Sequence, residues 1–237
     1  MLISLATFGQ DRATETHKLL IGVTVSPDIC FRTLKNTDGS STSDWIIDLR
    51  NDSESPKFSY SSGLSLCYHL TSHWAFETGL QYSNKGFKYV NSNPTFVDPY
   101  GYPDTTEGPA PTRITFIDNF NYLDIPLRTI FSIGNKKVRF ISSIGITTNI
   151  LISPTITSII KYDDEHTDHQ TQKAGHVYKS INLSPTASIG IDWQLFDNFN
   201  VCIEPTFRYG LLKIINTSIT AYLWSGGVNF TCYYRLK

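Results

Sequence analysis

The chain has 237 residues and carries 20 Lys and Arg against 21 Asp and Glu, and a net charge of -1 argues against a general polyanion or nucleic-acid binder. Charged residues make up only 17%, where a soluble domain carries about 25%, while aromatic residues reach 13%. No apolar run approaches the roughly 20 residues of a transmembrane helix, but a membrane-crossing strand stays open.

The chain starts MLISLATFGQD, a short apolar stretch followed by small and polar residues. This reads as the tail of a secretory signal peptide lacking its basic start, or as an ordinary chain start. Residues 1–16 are assigned to that remnant and an N-terminal tail, and residues 17–237 to one barrel domain. Cys30, Cys67, Cys202 and Cys232 show no CxxC spacing, so they read as free thiols rather than a zinc site or a disulfide framework.

From Leu19 onward the dominant signal is alternation. Leu19, Ile21, Val23 and Val25 oppose Lys18, Gly22, Thr24 and Ser26. Phe58, Tyr60, Leu64, Leu66 and Tyr68 oppose Ser59, Ser61, Gly63, Ser65, Cys67 and His69, and after a turn at 71–73, Trp74, Phe76, Leu80 and Tyr82 oppose Ala75, Glu77, Gly79, Gln81, Ser83 and Lys85. Period two over about a dozen residues is the pattern of a strand with one apolar face. It recurs from Leu123, from Val138, from Ile181, from Phe199 and from Tyr222, which makes eight strands and no convincing helical period. Pro126, Pro185 and Pro205 fall inside strands and predict bulges or local breaks. A register shift is expected near Gly86, because Phe87 and Tyr89 leave the face set by Trp74 to Tyr82.

The connections alternate as well. Those at 71–73, 132–137 and 197–198 are tight, whereas roughly 32–56, 90–119, 153–177 and 212–220 are long and rich in Asn, Asp, Ser, Thr, Gly and Pro. Short turns at one end and long loops at the other predict an all-β, eight-stranded, antiparallel transmembrane up-and-down barrel with short periplasmic turns and long extracellular loops. A soluble lipocalin-like ligand-binding barrel also alternates, but its polar face meets water and needs charge. Here that face is mostly Ser, Gly, Thr, Asn and Ala, which suits a cramped, filled lumen. Aromatic residues sort to the strand ends: Tyr68, Trp74, Phe131, Phe140, Trp193, Phe199 and Tyr234 toward the tight turns, and Phe31, Phe58, Tyr60, Tyr82, Phe207, Tyr209, Tyr222 and Trp224 toward the long loops. Two such girdles are expected at two membrane interfaces.

The few charges on the polar face balance. Lys85, Arg128, Arg139, Arg208 and Arg235 can meet Glu77, Asp124, Asp192 and Glu204 across the lumen as a structural network, since a buried charge requires a partner. His69 reads as a hydrogen-bonded filler of that lumen. The loop YDDEHTDHQ, with Asp163, Asp164, Glu165, His166, Asp168 and His169, offers metal-ligand types but has the composition of a solvated loop tip. The stretch NPTFVDPYGYPD, 93–104, is a sticky surface or a packing segment over the barrel mouth. No phosphate loop, GxSxG elbow or HExxH helix is present.

The segments GLSLCYHLTSHWAFETGLQYSNKGFKY (Gly63 to Tyr89) and NYLDIPL (Asn121 to Leu127) resemble the PorT-like outer-membrane β-barrel proteins of Bacteroidetes, in which a GLxYxxKGF-type hairpin precedes a YLxIPL strand. The run SPTASIGIDWQLFDNFNVCIEPTFRYGLLKI (Ser184 to Ile214) is similar to that family's penultimate hairpin. The resemblance covers most of the chain from Gly63 onward. It implies export through a signal peptide, insertion by the assembly machinery and, by its namesake, a link to protein secretion and gliding. Many such barrels end on an aromatic residue, whereas this chain ends Tyr-Arg-Leu-Lys from Tyr234.

The expectation is therefore a monomeric, non-enzymatic bacterial outer-membrane protein with a structural or partner-binding role, and not an open diffusion pore. Its partners are outer-membrane lipid and a protein met through the long loops, with no cofactor, metal or catalytic residue assigned and the binding residues unknown. The competing readings are an outer-membrane lipid hydrolase or acyltransferase and the soluble ligand-binding barrel.

Overall fold

In the computed structural model, residues 19–92, 94, 109–134, 137–175 and 178–236 are described. Residues 1–16, read as a signal remnant and tail, and nearly all of the 93–104 stretch lie outside them. Nine strands and one helix follow in the order β1 (Leu19–Asn36), α1 (Ser41–Ser53), β2 (Glu54–His69), β3 (Trp74–Ser92), β4 (Pro111–Gly134), β5 (Val138–Tyr162), β6 (Thr167–Lys173), β7 (Ile181–Phe196), β8 (Phe199–Tyr209) and β9 (Ile219–Arg235). Every pairing is antiparallel, and β1, β2, β3, β4, β5, β7, β8 and β9 close into a ring of eight. The ninth strand, β6, pairs only with the distal part of β5, above the point where β7 leaves it.

The alternation dictates which face is which. Leu64, Leu66, Phe76, Leu80, Leu127, Ile144 and Ile189 point outward and are exposed, while Ser61, Ser65, Ser83, Ser143, Thr147, Ser184 and Ser188 point inward and are buried. An outside-in barrel of this kind is stable only in an apolar solvent, because its outward side chains have nothing else to pack against. The outward aromatics gather at both ends as the strand pattern requires. Trp74 packs on Phe131 at 4.7 Å and Phe199 on Tyr234 at 5.1 Å near the tight turns, while Tyr60 meets Tyr82 and Phe31 meets Trp224, both at 6.2 Å, near the long loops.

The strands run further into the long-loop side than their alternation suggests. β1 continues to Asn36, β3 to Ser92 and β5 to Tyr162, and β4 begins at Pro111, so much of what reads as loop is a sheet extending beyond the apolar band. The first long loop also contains a helix that the sequence reading does not find. Ser40 caps it, accepting the N–H of Ser43 on its Oγ at 3.1 Å. The N–H of Ser40 donates to Asp38 at 2.9 Å and holds that carboxyl below its usual range. The buried Arg32 guanidinium finishes the other end, donating to the Arg50 carbonyl at 3.0 Å and to Asn51 and Glu54 at 2.6 Å. The helix is invisible to periodicity because two of its four large apolar residues, Trp45 and Leu49, are turned to solvent and the other two, Ile46 and Ile47, are adjacent in sequence and only half-buried.

The prolines do not make bulges. Pro126 pairs with Thr147 and Pro185 with Ile146, while the expected local breaks occur at Pro126 in the β3–β4 ladder and at Pro205 in the β7–β8 ladder, with the register preserved on both sides of each. Bulges fall elsewhere, between Pro56 and Tyr60 on β2 and at Asn121/Tyr122 in the β4–β5 ladder, where Ile152 is the extra residue on β5. The register shift expected near Gly86 lies on the β2 side, where Pro56 pairs with Phe87 and Tyr60 with Asn84, whereas against β4 Lys85, Gly86 and Phe87 pair in sequence with Phe120, Asn119 and Asp118. Phe87 stays on the inward face, where it fills the barrel's outer mouth. Gly86 itself has φ +148°, and a Cβ there would lie 1.9 Å from the Asp118 carbonyl oxygen. Gly86→Ala is therefore expected to cost at least about 1–3 kcal/mol, read as a lower urea midpoint for the folded barrel in lipid vesicles. An unchanged midpoint would contradict this backbone geometry.

Candidate functional site

The inward side chains form layers along the barrel axis. Nearest the tight turns, Leu20, Cys67, Ala75, Ile130, Ile141, Cys202 and Tyr233 make an apolar plug. The cavity left beside it is about 30 Å³ and is lined by His69, Arg139, Asp192 and Asn200 among others. That is space for about one water.

Above the plug lies the most tightly held group in the lumen. Arg128 of β4 sits between Glu77 of β3 and Glu204 of β8, with Nη2 2.7 Å from Glu77 Oε1 and 3.3 Å from Glu204 Oε2. Its Nε also donates to Glu77 Oε1 at 3.0 Å, and its Nη1 to Glu204 Oε1 at 3.4 Å and Ser143 Oγ at 3.3 Å. Tyr233 donates its hydroxyl to Glu77 Oε2, and Ser188 donates to Glu204 Oε1 at 2.7 Å. All four carboxylate oxygens thus accept from protein donors, which is what makes such burial tolerable. The arrangement ties β3, β4 and β8 together across the lumen.

Two further pairs continue the network. Lys85 Nζ lies 3.2 Å from Asp124 Oδ2, and Asp124 also accepts from Ser83 at 2.8 Å and from Asn149 at 2.6 Å. Arg208 Nη1 lies 3.2 Å from Asp28 Oδ1, and its Nη2 donates to Asn229 at 2.6 Å. Toward the tight turns Arg139 pairs with Asp192, which also accepts from Asn200 at 3.0 Å. Of the nine charges expected in the lumen, eight are in ion pairs. Arg235 is the exception, with its buried Nε unpaired among the described residues. The His69 ring has no hydrogen bond to another described residue, contrary to its reading as a bonded filler; it fills space beside the 30 Å³ cavity.

Several lumen groups escape the strand pattern. Asp28 follows Pro27, a turn-like dipeptide that conceals the continuation of β1, and only extending the even-numbered inward face of Leu20 to Ser26 reveals it. The same extension finds Arg32. Lys57, buried at the bulge, donates to Asn84 and Asn119. The outer mouth is closed by Cys30, Phe87, Phe120, Tyr122, Ile214, Ala221 and Leu223, with Ile214 brought in by the β8–β9 loop through its N–H to the Ala221 carbonyl at 2.9 Å. Above it a depression of about 340 Å³ opens between Arg50, Asp118, Ile156 and Tyr178.

All four cysteines are free thiols, three of them buried. The 163–169 segment is the tip of the β5–β6 hairpin and does not gather its ligand types. His166 Nε2 bonds Asp168 Oδ1 at 2.8 Å, while Asp168 and His169 alternate to opposite faces of β6. Among the described residues no three His, Cys, Asp or Glu side chains come together as a metal site. Among the described residues the other hydrogen bond of a histidine ring, between Ser72 Oγ and His73 Nδ1 at 2.9 Å, lies in the tight β2–β3 turn at the opposite end of the barrel. A Ser/His/Asp relay is therefore not assembled from these groups.

The family of outer membrane protein beta-barrel domains matches residues 8–216. Among solved structures, Neisserial surface protein A and the outer membrane protein OprG of Pseudomonas aeruginosa are each 10% identical, with a TM-score of 0.46 over 92% of this chain and 97% of theirs. The outer membrane protease OmpT of Escherichia coli is 7% identical with a TM-score of 0.45, over 96% of this chain and 99% of its own. No curated protein matches the chain in sequence. With outward apolar strands, two aromatic girdles and a family match over most of its length, the chain belongs to the outer membrane protein beta-barrel domain family and is a protein of the bacterial outer membrane.

Proposed function

We propose that this barrel is non-enzymatic and monomeric, that it conducts no solutes, and that it serves a structural or partner-binding role through its extracellular part. The resemblance to PorT-like proteins makes that role a secretion-associated one. The supporting observation is the filled lumen: an apolar plug at each end encloses a charge network whose carboxylates are already satisfied. Side chains that fill a lumen stabilise the barrel and leave nothing for a solute to cross. Function then falls to what projects outside, chiefly the β3–β6 extension. Planar-bilayer recording of the purified barrel tests the first half, with no stepwise conductance expected; reproducible steps at low voltage would overturn it. For the second half, replacing residues 155–173 by a short turn is expected to leave the heat-modifiable folded band intact while removing a cross-linked adduct seen in whole cells. Release of acyl chains from phospholipid or lipopolysaccharide by the purified protein would overturn the non-enzymatic reading.

A further inference from the structure

The part of β3, β4, β5 and β6 that stands above the apolar band is sided by charge, and the cross-strand register shows it. In β4 the residues that point outward below, Leu123 and Leu127, are continued by Asn119, Ile117, Thr115 and Arg113. Arg113 is directly opposite Lys161, Ile117 is level with Lys88 on one side and Thr157 on the other, and Thr155, opposite Asn119, pairs with Lys173. Lys88, Arg113, Lys161 and Lys173 therefore share the outward face of one sheet, with His169 beside them. Among the described residues no Asp or Glu stands on that face: Asp118 and Asp168 point to the other side, and Asp163, Asp164 and Glu165 are at the hairpin tip. Among the described residues none of the four cations is in an ion pair, and three of them are exposed. Like charges directly opposite in a ladder, as Arg113 and Lys161 are, destabilise it unless an anion joins them.

The height of the stripe selects the anion. With a rise of about 3.4 Å per residue and a tilt of about 40°, Lys173, level with Asn119, stands roughly 10 Å above the apolar band's edge at Leu123, and Arg113 roughly 25 Å above it. Phospholipid headgroups reach only about 5–8 Å beyond the hydrocarbon. We infer that this face binds the phosphate-bearing saccharide headgroup of an outer-leaflet glycolipid of the lipopolysaccharide type, seated against the sheet with its acyl chains on the apolar strands below. Lys and Arg are the side chains suited to that charge, and Arg adds bidentate geometry. The inference rests on the outer-membrane location alone, so a conducting barrel would sink the proposed function and leave it standing.

The test reconstitutes the full chain in phosphatidylcholine vesicles, with and without rough lipopolysaccharide, and reads the thermal unfolding midpoint from gel mobility. A rise with lipopolysaccharide is expected for the native protein, shrinking in 0.5 M salt, which screens charge at about the 4 Å scale. The fourfold variant K88Q/R113Q/K161Q/K173Q is expected to lose more than half of that rise. Asp163→Asn with Asp164→Asn, at the hairpin tip, is expected to keep all of it. If the fourfold variant does not give the folded band, the pair R113Q/K161Q carries the test and is expected to lose at least a quarter of the rise. An equal rise in variant and native protein, or the same rise from phosphatidylglycerol alone, overturns the inference.

Discussion

Replacing Arg128 by Met, which keeps the length of the side chain and removes its charge, is expected to lower the stability of the folded barrel by roughly 3–5 kcal/mol. The reason is what stays behind. Glu77 and Glu204 are both fully buried and reach each other's side of the lumen only through the guanidinium. Without it two carboxylates from β3 and β8 face one another with only Tyr233, Ser188 and each other for company. Removing the carboxylates as well, in R128M/E77Q/E204Q, is expected to recover most of the loss, because a neutral lumen of similar volume carries no uncompensated charge. Urea unfolding in lipid vesicles, followed by tryptophan fluorescence and gel mobility, measures both variants. A loss below about 1 kcal/mol for Arg128→Met would mean that water reaches the triad and screens it, and the filled lumen would have to be abandoned.

The lumen was legible in the sequence to the extent that parity carries it. Glu77, Asp124, Arg128, Asp192, Glu204 and Arg208 each occupy an inward position within a clean apolar alternation, so both their face and their need for partners follow from the pattern. What parity does not contain is depth. It does not say that Arg128 chooses Glu77 and Glu204 while Lys85 chooses Asp124, because that depends on the stagger between strands, set by bulges such as the one at Ile152. Asp28 was concealed by a local signal: Pro-Asp reads as a turn, yet pairing with β2 holds Pro27 and pairing with both β2 and β9 holds Asp28 in β1. The extracellular sheet was concealed for a related reason. Above the lipid both faces of a strand meet water, so ILISPTITSIIKY loses its alternation and reads as loop although β5 runs through it to Tyr162. Helix α1 fails the same test from the other side, since its apolar residues mark no buried face.

Leu127→Arg is expected to separate the membrane barrel, apolar side out, from any soluble barrel, because the two assign opposite consequences to the same position. Leu127 is 59% exposed and stands midway along β4 between Phe131, at the girdle near the tight turns, and Leu123, near the opposite edge of the apolar band; its neighbour Arg128 is 4% exposed and points inward. On a water-facing surface an arginine at such an exposed site changes stability by only about half a kcal/mol. At the bilayer midplane it costs about 2–4 kcal/mol, and the cost falls to about 0–1 kcal/mol near an interface. The informative measurement is therefore a depth series: Leu127→Arg should lower the unfolding free energy in lipid vesicles by about 2–4 kcal/mol, and Phe131→Arg should lose only its packing on Trp74 and His73 plus the small interfacial term. Ile144, 71% exposed on β5 opposite Thr129, lies at nearly the same depth as Leu127 and should repeat its penalty from the neighbouring strand. A flat series, with all three positions equally tolerant, would mean that the apolar face does not meet hydrocarbon. A steep one places the bilayer midplane at the Leu127 level and, by the strand rise, sets the cationic stripe of Lys88, Arg113, Lys161 and Lys173 above the phospholipid headgroups and within a glycolipid's sugars.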